Sequence, residues 1–550
     1  MKITKSLSGL MLVSVSAVAI TGLAASQLHA KTGSTVDPVG TIHWTEAGPL
    51  TTMDPVKGAV NVDSNAQVAI GEGLVRSDQQ NKPQLALADK MTMSSDGLTV
   101  HFKLKPNLKW SNGDALTAHD FVFGWRRAVD PTSQSTSGSS FSGIAFADDI
   151  VLGKEKNVEK LGIEALDDHT LVVKLERPLP QLKSLLTLSP FLPQNEKFVK
   201  AQGNKFGTTA KNTISSGPFK MTEWDGSSDK YAFEKNDQYF DAAHVKVPKV
   251  KVSVISNRNT GYNLYQSGVI DFTPLTAQQV SASKFSPDFK VQSNAMAASV
   301  ALNQNKVPAF KNKHIREALS MSLDRELLTD KILTGSAKPA RTFVAENLVE
   351  DPNTHKDFTQ DIPTNDVLRF NPEKAQEKLT QGLKDLNQKN LKITLLADDS
   401  DGGSRTAQFI KAQLEALDGI EISIKTVPPR SRIMMSQAGD FEMTVTKMGA
   451  DVADPTAFLD SFKSDSEMNN SGWGNPKFDQ LLKEASTVNA TAPEARFKQL
   501  KEAEELLTDE LATIPLYYGS QAALQNPEVK DVVFHPSGAA VDWKWAHREQ

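Results

Sequence analysis

Two periodicities interleave along this chain, and together they exclude most architectures. In "LTVHFKLKP", Leu98, Val100, Phe102 and Leu104 recur at every second position, the mark of a half-buried strand. "LGIEALDDHTLVVKLERP" reads as two strands around a turn at Asp167–Asp168, and "VKVPKVKVSVI" as a strand region interrupted by Pro248. Helical stripes lie between these segments. "HIREALSMSLDRELLTDKI" sets Ile315, Leu319, Ser322, Leu323 and Leu327 on one face, and "PEARFKQLKEAEELLTDEL" does the same with Phe497, Leu500, Ala503 and Leu507. The proline opening the second suits a first helical turn. "NEKFVKAQGNKFG" and "SRTAQFIKAQLEALDG" are shorter helices, the latter expected to end at Gly419 as a C-cap. Strands and helices mixed in this way predict α/β lobes, not a bundle or a sandwich.

The chain has 550 residues, a length for two to four domains. It is 39% hydrophobic and 23% charged, with 7 Trp and 25 Phe to fill several cores. Net charge is −5 and no basic block of five or six residues occurs, which argues against a nucleic-acid partner. No internal repeat is visible.

The N-terminus has the three regions of a secretory signal peptide. "MKITKSLSG" carries two lysines, "LMLVSVSAVAI" is an apolar run of eleven residues, and "TGLAASQLHA" supplies small residues. The apolar run is shorter than the roughly 20 residues that span a bilayer. Residues 1–30 are therefore expected to be removed, with cleavage between Ser26 and Lys31. Losing Lys2 and Lys5 takes the formal charge from −5 to −7. The chain has no cysteine, which excludes disulfides, thiolate metal sites, cysteine nucleophiles and lipidation at cysteine. Ser26 stands where "LAAS" would carry a lipid-bearing cysteine in a lipoprotein. The expectation is an exported protein of the cell surface, envelope or periplasm that is not lipidated.

No catalytic motif stands out. HExxH, a Walker-type loop and a GxSxG elbow are all absent. The histidines are scattered, none at metal-ligand spacing from another. "AIGEG" lacks the third glycine of a phosphate loop. Aspartate pairs such as Asp148–Asp149 and Asp398–Asp399 read as turns. The expectation is a binding protein without cofactor or metal, not an enzyme.

"FEMTVTKMGADVADPTAF" is the informative stretch. Phe441, Met443 and Val445 alternate with Glu442, Thr444 and Thr446, and the pattern then breaks at Lys447–Met448–Gly449. Asp451 and Asp454 follow before Pro455. A buried strand thus delivers a carboxylate at its end, with a glycine that allows another backbone to come close. Asp454, just before proline, reads as a turn former; Asp451 reads either as a cap of the same turn or as a ligand group.

From "LKPNLKWSNGDALTAHDFVFGWRRAVDP" onward the chain resembles the extracellular solute-binding proteins of peptide and nickel ABC importers, and among them the oligopeptide-binding proteins. "LGIEALDDHTLVVKLERPLP", "ISSGPFKMTEW", "LYQSGVIDFT", "NKHIREALSMSLDRE", "GADVADPTAFLDSF" and "IPLYYGSQAAL" resemble further segments of that family in the same order. The resemblance implies a two-lobed periplasmic-binding-protein-like fold, with an extra domain on the first lobe and a hinged ligand cleft. By matching segments, the first lobe falls at 31–60, 211–295 and 520–550, the extra domain at 61–210 and the second lobe at 296–519. It implies an oligopeptide ligand, delivery to membrane permease subunits with their ATPases, and a monomer. A nickel chelate or other small solute, and a surface peptide sensor or adhesin, are the alternatives on the same fold.

The resemblance also implies a site. Asp451 matches the residue that meets the peptide amine. Lys447, Met448 and Gly449 match the strand edge that pairs with the ligand backbone, and Glu46, Ala47 and Gly48 the opposing strand of the first lobe. Departures are equally specific. Arginines that meet ligand carboxylates in enteric relatives are Val445 and Ser436 here, and a cysteine pair of those relatives corresponds to Met296 and Gly449. Lys447, Arg430 and Arg432 are the remaining cations near the stretch.

Overall fold

The computed structural model describes residues 37–549 apart from 59, 335 and 336, with Asp401 described by its backbone alone. The segment read as a signal peptide lies outside the described residues. Pro38–Gln550 forms one compact unit.

Three sheets organise it. The first lobe has a four-stranded sheet in the order Ile42–Glu46, Lys249–Val254, Lys230–Lys235, Phe219–Thr222, its first pair parallel and the others antiparallel. Ile42 and Trp44 point from alternate positions into a core that includes Phe219, Phe233 and Trp543. Trp44 stacks on Phe272 at 4.0 Å between ring centroids.

The extra domain has an antiparallel sheet of Ala88–Met93, Thr99–Leu104, Thr170–Lys174 and Ile163–Asp167. Both strand readings around Asp167–Asp168 therefore stand as a hairpin. The helix Ala118–Val129 covers this sheet, started by a capping box between Thr117 and Asp120. Its Trp125 is fully buried, and the indole N–H donates to the Phe191 carbonyl at 3.0 Å. The helix Asn61–Ile70 packs elsewhere: Ala66, Ala69 and Ile70 sit in the first-lobe core, beyond the boundary expected at residue 61. Buried Arg76 ties the extra domain to the first lobe. Its Nε donates to Asp542 at 2.8 Å, and the Tyr239 hydroxyl donates to Glu72 beside it at 2.5 Å. Burial works against the Asp542 charge, yet the neighbouring guanidinium holds this carboxyl well below the usual range.

The third sheet has seven strands. Its path runs Phe272–Pro274, Ile514–Gln525, Phe289–Leu302, Met443–Gly449, Leu391–Asp398, Ile420–Val427, with Ala337–Pro339 added to Ile514–Gln525. The two longest strands, Phe289–Leu302 and Ile514–Gln525, are antiparallel and pass from the first-lobe end of this sheet into the second lobe. Their register shifts between Ser293 and Ala297, where Ala295 takes φ +38°. A residue of that conformation inside a strand marks a bulge, which bends the ribbon where it crosses. Gly519 faces Met296 so closely there that a β-carbon would collide with the methionine's end.

Second-lobe cores lie on both faces of this sheet. The expected stripe Phe497, Leu500, Ala503, Leu507 is buried on the helix Pro493–Asp509. The stripe from Ile315 to Leu327 is not continuous. The helix Lys313–Met321 ends, Asp324 caps a new turn by accepting from Leu327 N–H, and Leu327 is exposed. Buried Arg325 enforces the break: its guanidinium donates to the carbonyls of Pro515 and Leu368 at 2.7 Å each. Gly419 has φ +103°, but the helix Asp401–Leu414 ends earlier, and this glycine opens the strand Ile420–Val427 instead of capping a helix.

Candidate functional site

The strand Met443–Gly449 is paired along its whole length on one side only. Facing Phe289–Leu302, its register runs from Met443 opposite Leu302 to Gly449 opposite Met296. Met296 and Gly449, which correspond to a cysteine pair in enteric relatives, are thus direct neighbours. On the other side, Leu395 and Leu396 pair with Met443 and Thr444 and the partner strand then diverges. Among the described residues no strand covers this edge from Val445 onward.

Residues of a strand alternate in the edge to which they direct N–H and C=O. The Val445 carbonyl accepts from Arg432 Nη1 at 3.2 Å, so Val445 faces the uncovered edge, and Lys447 and Gly449 do likewise. Ala450 N–H turns the other way, to Ala295 O at 3.3 Å. Arg432 closes the edge at one end. Two residues, Lys447 and Gly449, then hold out the open donors and acceptors. Met448 contributes its side chain instead, with Ser461 Oγ at 3.7 Å from its sulfur.

The two aspartates that follow have opposite surroundings. Asp454 is buried and grips Arg496 through two bonds of 2.8 Å, one to each carboxylate oxygen; it also accepts from the N–H and hydroxyl of Thr456. It is a structural ion pair within the second lobe. Asp451 is exposed, and its carboxylate meets no hydrogen-bond or charge partner among the described residues. Lys447 is likewise exposed and unpaired among them. Arg430 is exposed, whereas Arg432 is largely buried, its Nε lying 3.6 Å from Asp398 Oδ2.

Glu46 ends the strand Ile42–Glu46. It shares the face of Ile42 and Trp44, so its side chain turns to the first-lobe core. Its carboxylate accepts from Asn65 Nδ2 at 3.0 Å, and burial pushes its pKa up to about 7 despite that bond. Its carbonyl accepts from Ile255 N–H at 2.8 Å. Ala47 and Gly48 carry the chain on, Ala47 exposed. The two halves of the expected site approach through the loop before Ala540. Asn65 accepts from Ala540 N–H at 2.7 Å, and Gly538 stands with its β-position 3.8 Å from the Asp451 carbonyl oxygen and 3.2 Å from Leu188 of the extra domain. With φ +71°, Gly538 holds a conformation other residues rarely adopt.

Beside the uncovered edge lies a cavity of about 680 Å³. Thr446, Lys447 and Met448 form one wall, the helix Pro429–Gln437 a second, and the chain around Phe462 to Ser471 a third. Of these flanking residues the sequence singles out Arg432 and Ser436, but not Ile433, Gln437 or the residues from Glu467 to Ser471. One signal was present: "RIMMS" puts Ile433, Met434 and Met435 in a helix with no opposing polar face, and Ile433 and Met434 are exposed. Among the described residues no group of three or more His, Asp or Glu residues is placed to hold a metal, and no helix is long and apolar enough to cross a membrane.

Residues 82–470 match the family "Bacterial extracellular solute-binding proteins, family 5 Middle". The dipeptide-binding protein DppE of Bacillus subtilis is 33% identical over 499 residues, covering 90% of each chain. The dipeptide-binding protein of Lactococcus lactis is 33% identical over 493 residues, covering 87% of this chain and 89% of the relative. The structure of Listeria monocytogenes OppA bound to peptide superposes with a TM-score of 0.71 at 33% identity, over 93% of this chain and 99% of that one.

Proposed function

Because this chain belongs to the family 5 bacterial extracellular solute-binding proteins, we propose that it captures oligopeptides in a closing cleft and hands them to the membrane permease of an ABC importer. The observation that carries this reading is the strand edge at Lys447 and Gly449, open to a partner and ending at the unpaired Asp451.

A peptide is an extended chain with an ammonium group at one end. Added as a strand, it satisfies its amides on protein backbone whatever its side chains are. Its ammonium needs a carboxylate once the lobes exclude water, and Asp451 is the free one at the end of the edge. Ala47 and Gly48 oppose it from the first lobe. The protein performs no bond chemistry; it binds, and the ATPase partner supplies the energy of transport. It acts as a monomer outside the cytoplasmic membrane, exported by residues 1–30 and carrying no lipid on cysteine.

The separate cores support a division into lobes, although Val56 and Ile214 join the extra-domain core. The first takes 31–60, 211–295 and 520–550, the extra domain 61–210 with the helix Asn61–Ile70 lent to the first lobe, and the second 296–519. The bulged ribbon of Phe289–Leu302 and Ile514–Gln525 is the hinge.

Native mass spectrometry of the protein with a mixed peptide pool tests the reading. The expected result is one intact peptide per chain, with a smaller radius of gyration by scattering than in its absence. Hydrolysed peptides after repurification, or no peptide retained, would refute it.

A further inference from the structure

We propose that the turn carrying Phe285 is a membrane-docking tip, by which the exported protein rests reversibly on an anionic lipid bilayer. This rests on the export reading above and is independent of what the cleft binds.

The tip belongs to a small unit with its own core. The helices Arg258–Gln266 and Ala277–Ser283 flank the strand Phe272–Pro274, and Tyr265, Ile270, Leu275 and Val280 pack with Ala522 and Leu524 of the strand Ile514–Gln525. Phe285 is outside that core. After the second helix the chain turns through Phe285, Ser286 and Pro287 into the strand Phe289–Leu302. The Ser286 N–H donates to the Ser283 carbonyl at 2.8 Å, so the backbone alone closes the turn and the ring points outward. Phe285 is 89% exposed, more than any other large hydrophobic residue among those described. Val269, 54% exposed, stands in the turn after the first helix. The two turns are tied together, because the Tyr265 hydroxyl donates to Asp288 at 2.8 Å.

Charge identifies what covers it. The chain as a whole is acidic, at −5, but from residue 255 to residue 290 its charged side chains are Arg258, Asp271, Lys284, Asp288 and Lys290. Both acids are engaged: Asp271 is buried against Arg548, and Asp288 accepts from Tyr265. The three cations are exposed. Lys284 and Lys290 flank the tip in sequence, and the Lys284 ammonium stands 5.1 Å from the centre of the Phe285 ring. An exposed ring among lysines has the chemistry of a bilayer interface. The ring enters the boundary between headgroups and acyl chains, while the lysine stems run alongside and keep their ammonium groups level with the lipid phosphates. A bilayer takes a single ring without a shaped pocket to receive it. The chain has no cysteine, so no lipid on that residue shares the task. One ring and three cations fall far short of a spanning helix, which makes the attachment reversible.

The test is flotation of the exported protein with vesicles, either phosphatidylcholine alone or equal parts phosphatidylcholine and phosphatidylglycerol. Binding is expected to the mixed vesicles, to be weak on phosphatidylcholine, and to fall as salt is raised. Phe285→Ser should lower the partition coefficient about tenfold, and Lys284→Gln and Lys290→Gln about fivefold each. Leu166→Ser removes another exposed apolar side chain, 56% exposed on the extra domain, and should change nothing. Thermal unfolding midpoints equal to wild type establish that each variant is folded. Absence of binding to the mixed vesicles, equal binding by wild type and Phe285→Ser, or a loss as large with Leu166→Ser would overturn the proposal. A dimer in sedimentation that Phe285→Ser dissociates would overturn it in favour of a second copy as the partner of this turn. Sequencing the N-terminus of the exported protein tests the export reading separately from the vesicle result.

Discussion

Asp451 and Asp454 are the same residue type three positions apart, and the structure assigns them different physics. Replacing each by asparagine keeps its shape and removes its charge. At Asp454 the loss leaves the Arg496 guanidinium in a site where both side chains are no more than 5% exposed, with an amide nitrogen turned toward one of its N–H groups. Removing one partner of a buried ion pair costs about 3–5 kcal/mol. The urea unfolding midpoint therefore falls, by that cost divided by a slope that grows with the surface exposed on unfolding. Peptide affinity of the folded variant stays close to wild type. At Asp451 the pattern inverts. The carboxylate has no partner to lose in the empty protein, so the midpoint is unchanged. In the closed complex the ligand ammonium is left uncompensated, and the same range, taken at its lower end because Asp451 is exposed, predicts about a hundredfold weaker binding. Acetylating the peptide amine removes the same interaction from the other side. The two losses must therefore fail to add, which marks direct contact. Calorimetric titration of both variants with free and acetylated peptide, beside urea unfolding, measures all four quantities. Additive losses at Asp451, or a stability loss there as large as at Asp454, would refute the assignment.

Glu46 predicts a pH dependence of stability. Its folded pKa, pushed up to about 7 by burial, exceeds the unfolded value of 4.5, so the folded state binds more protons between these values. Its contribution is therefore full below pH 4.5 and is lost as pH rises through 7, by at most about 3 kcal/mol; Glu46→Gln should flatten that slope in unfolding curves measured from pH 4.5 to 8. Lys447, exposed and unpaired among the described residues, is the cation nearest the open edge. Lys447→Met should narrow the affinity gap between free-acid and amidated peptides by about two- to fivefold, the range of an exposed ion pair; an unchanged gap would place the ligand carboxylate elsewhere.

Much of this was legible in the residues themselves, because strand and helix faces are local. The stripe of Phe497, Leu500, Ala503 and Leu507 needs only a few neighbours and is buried as the period requires. The alternation at Phe441–Thr446 holds only in part: the strand starts at Met443, Thr444 is fully buried between two neighbouring strands, and Val445 is only partly buried. The turn-forming character of Asp454 was legible too, since Pro455 follows it. Its partner was not: Arg496 lies 42 positions on, and no local rule joins them. The same holds for the break after Met321, where Arg325 is held by carbonyls of Leu368 and Pro515. Glu46 shows the boundary between the two kinds of knowledge. The resemblance matches it to a strand that opposes the ligand; only the structure turns its side chain to the face of Ile42 and Trp44 and packs Asn65 against its carboxylate. The open edge itself exists because the strand Leu391–Asp398 parts from Met443–Gly449 after two residue pairs. The cavity beside that edge gathers residues from Ala301 to Thr513. Divergence of strands and convergence of distant segments are properties of the folded chain, since they arise from how whole lobes pack.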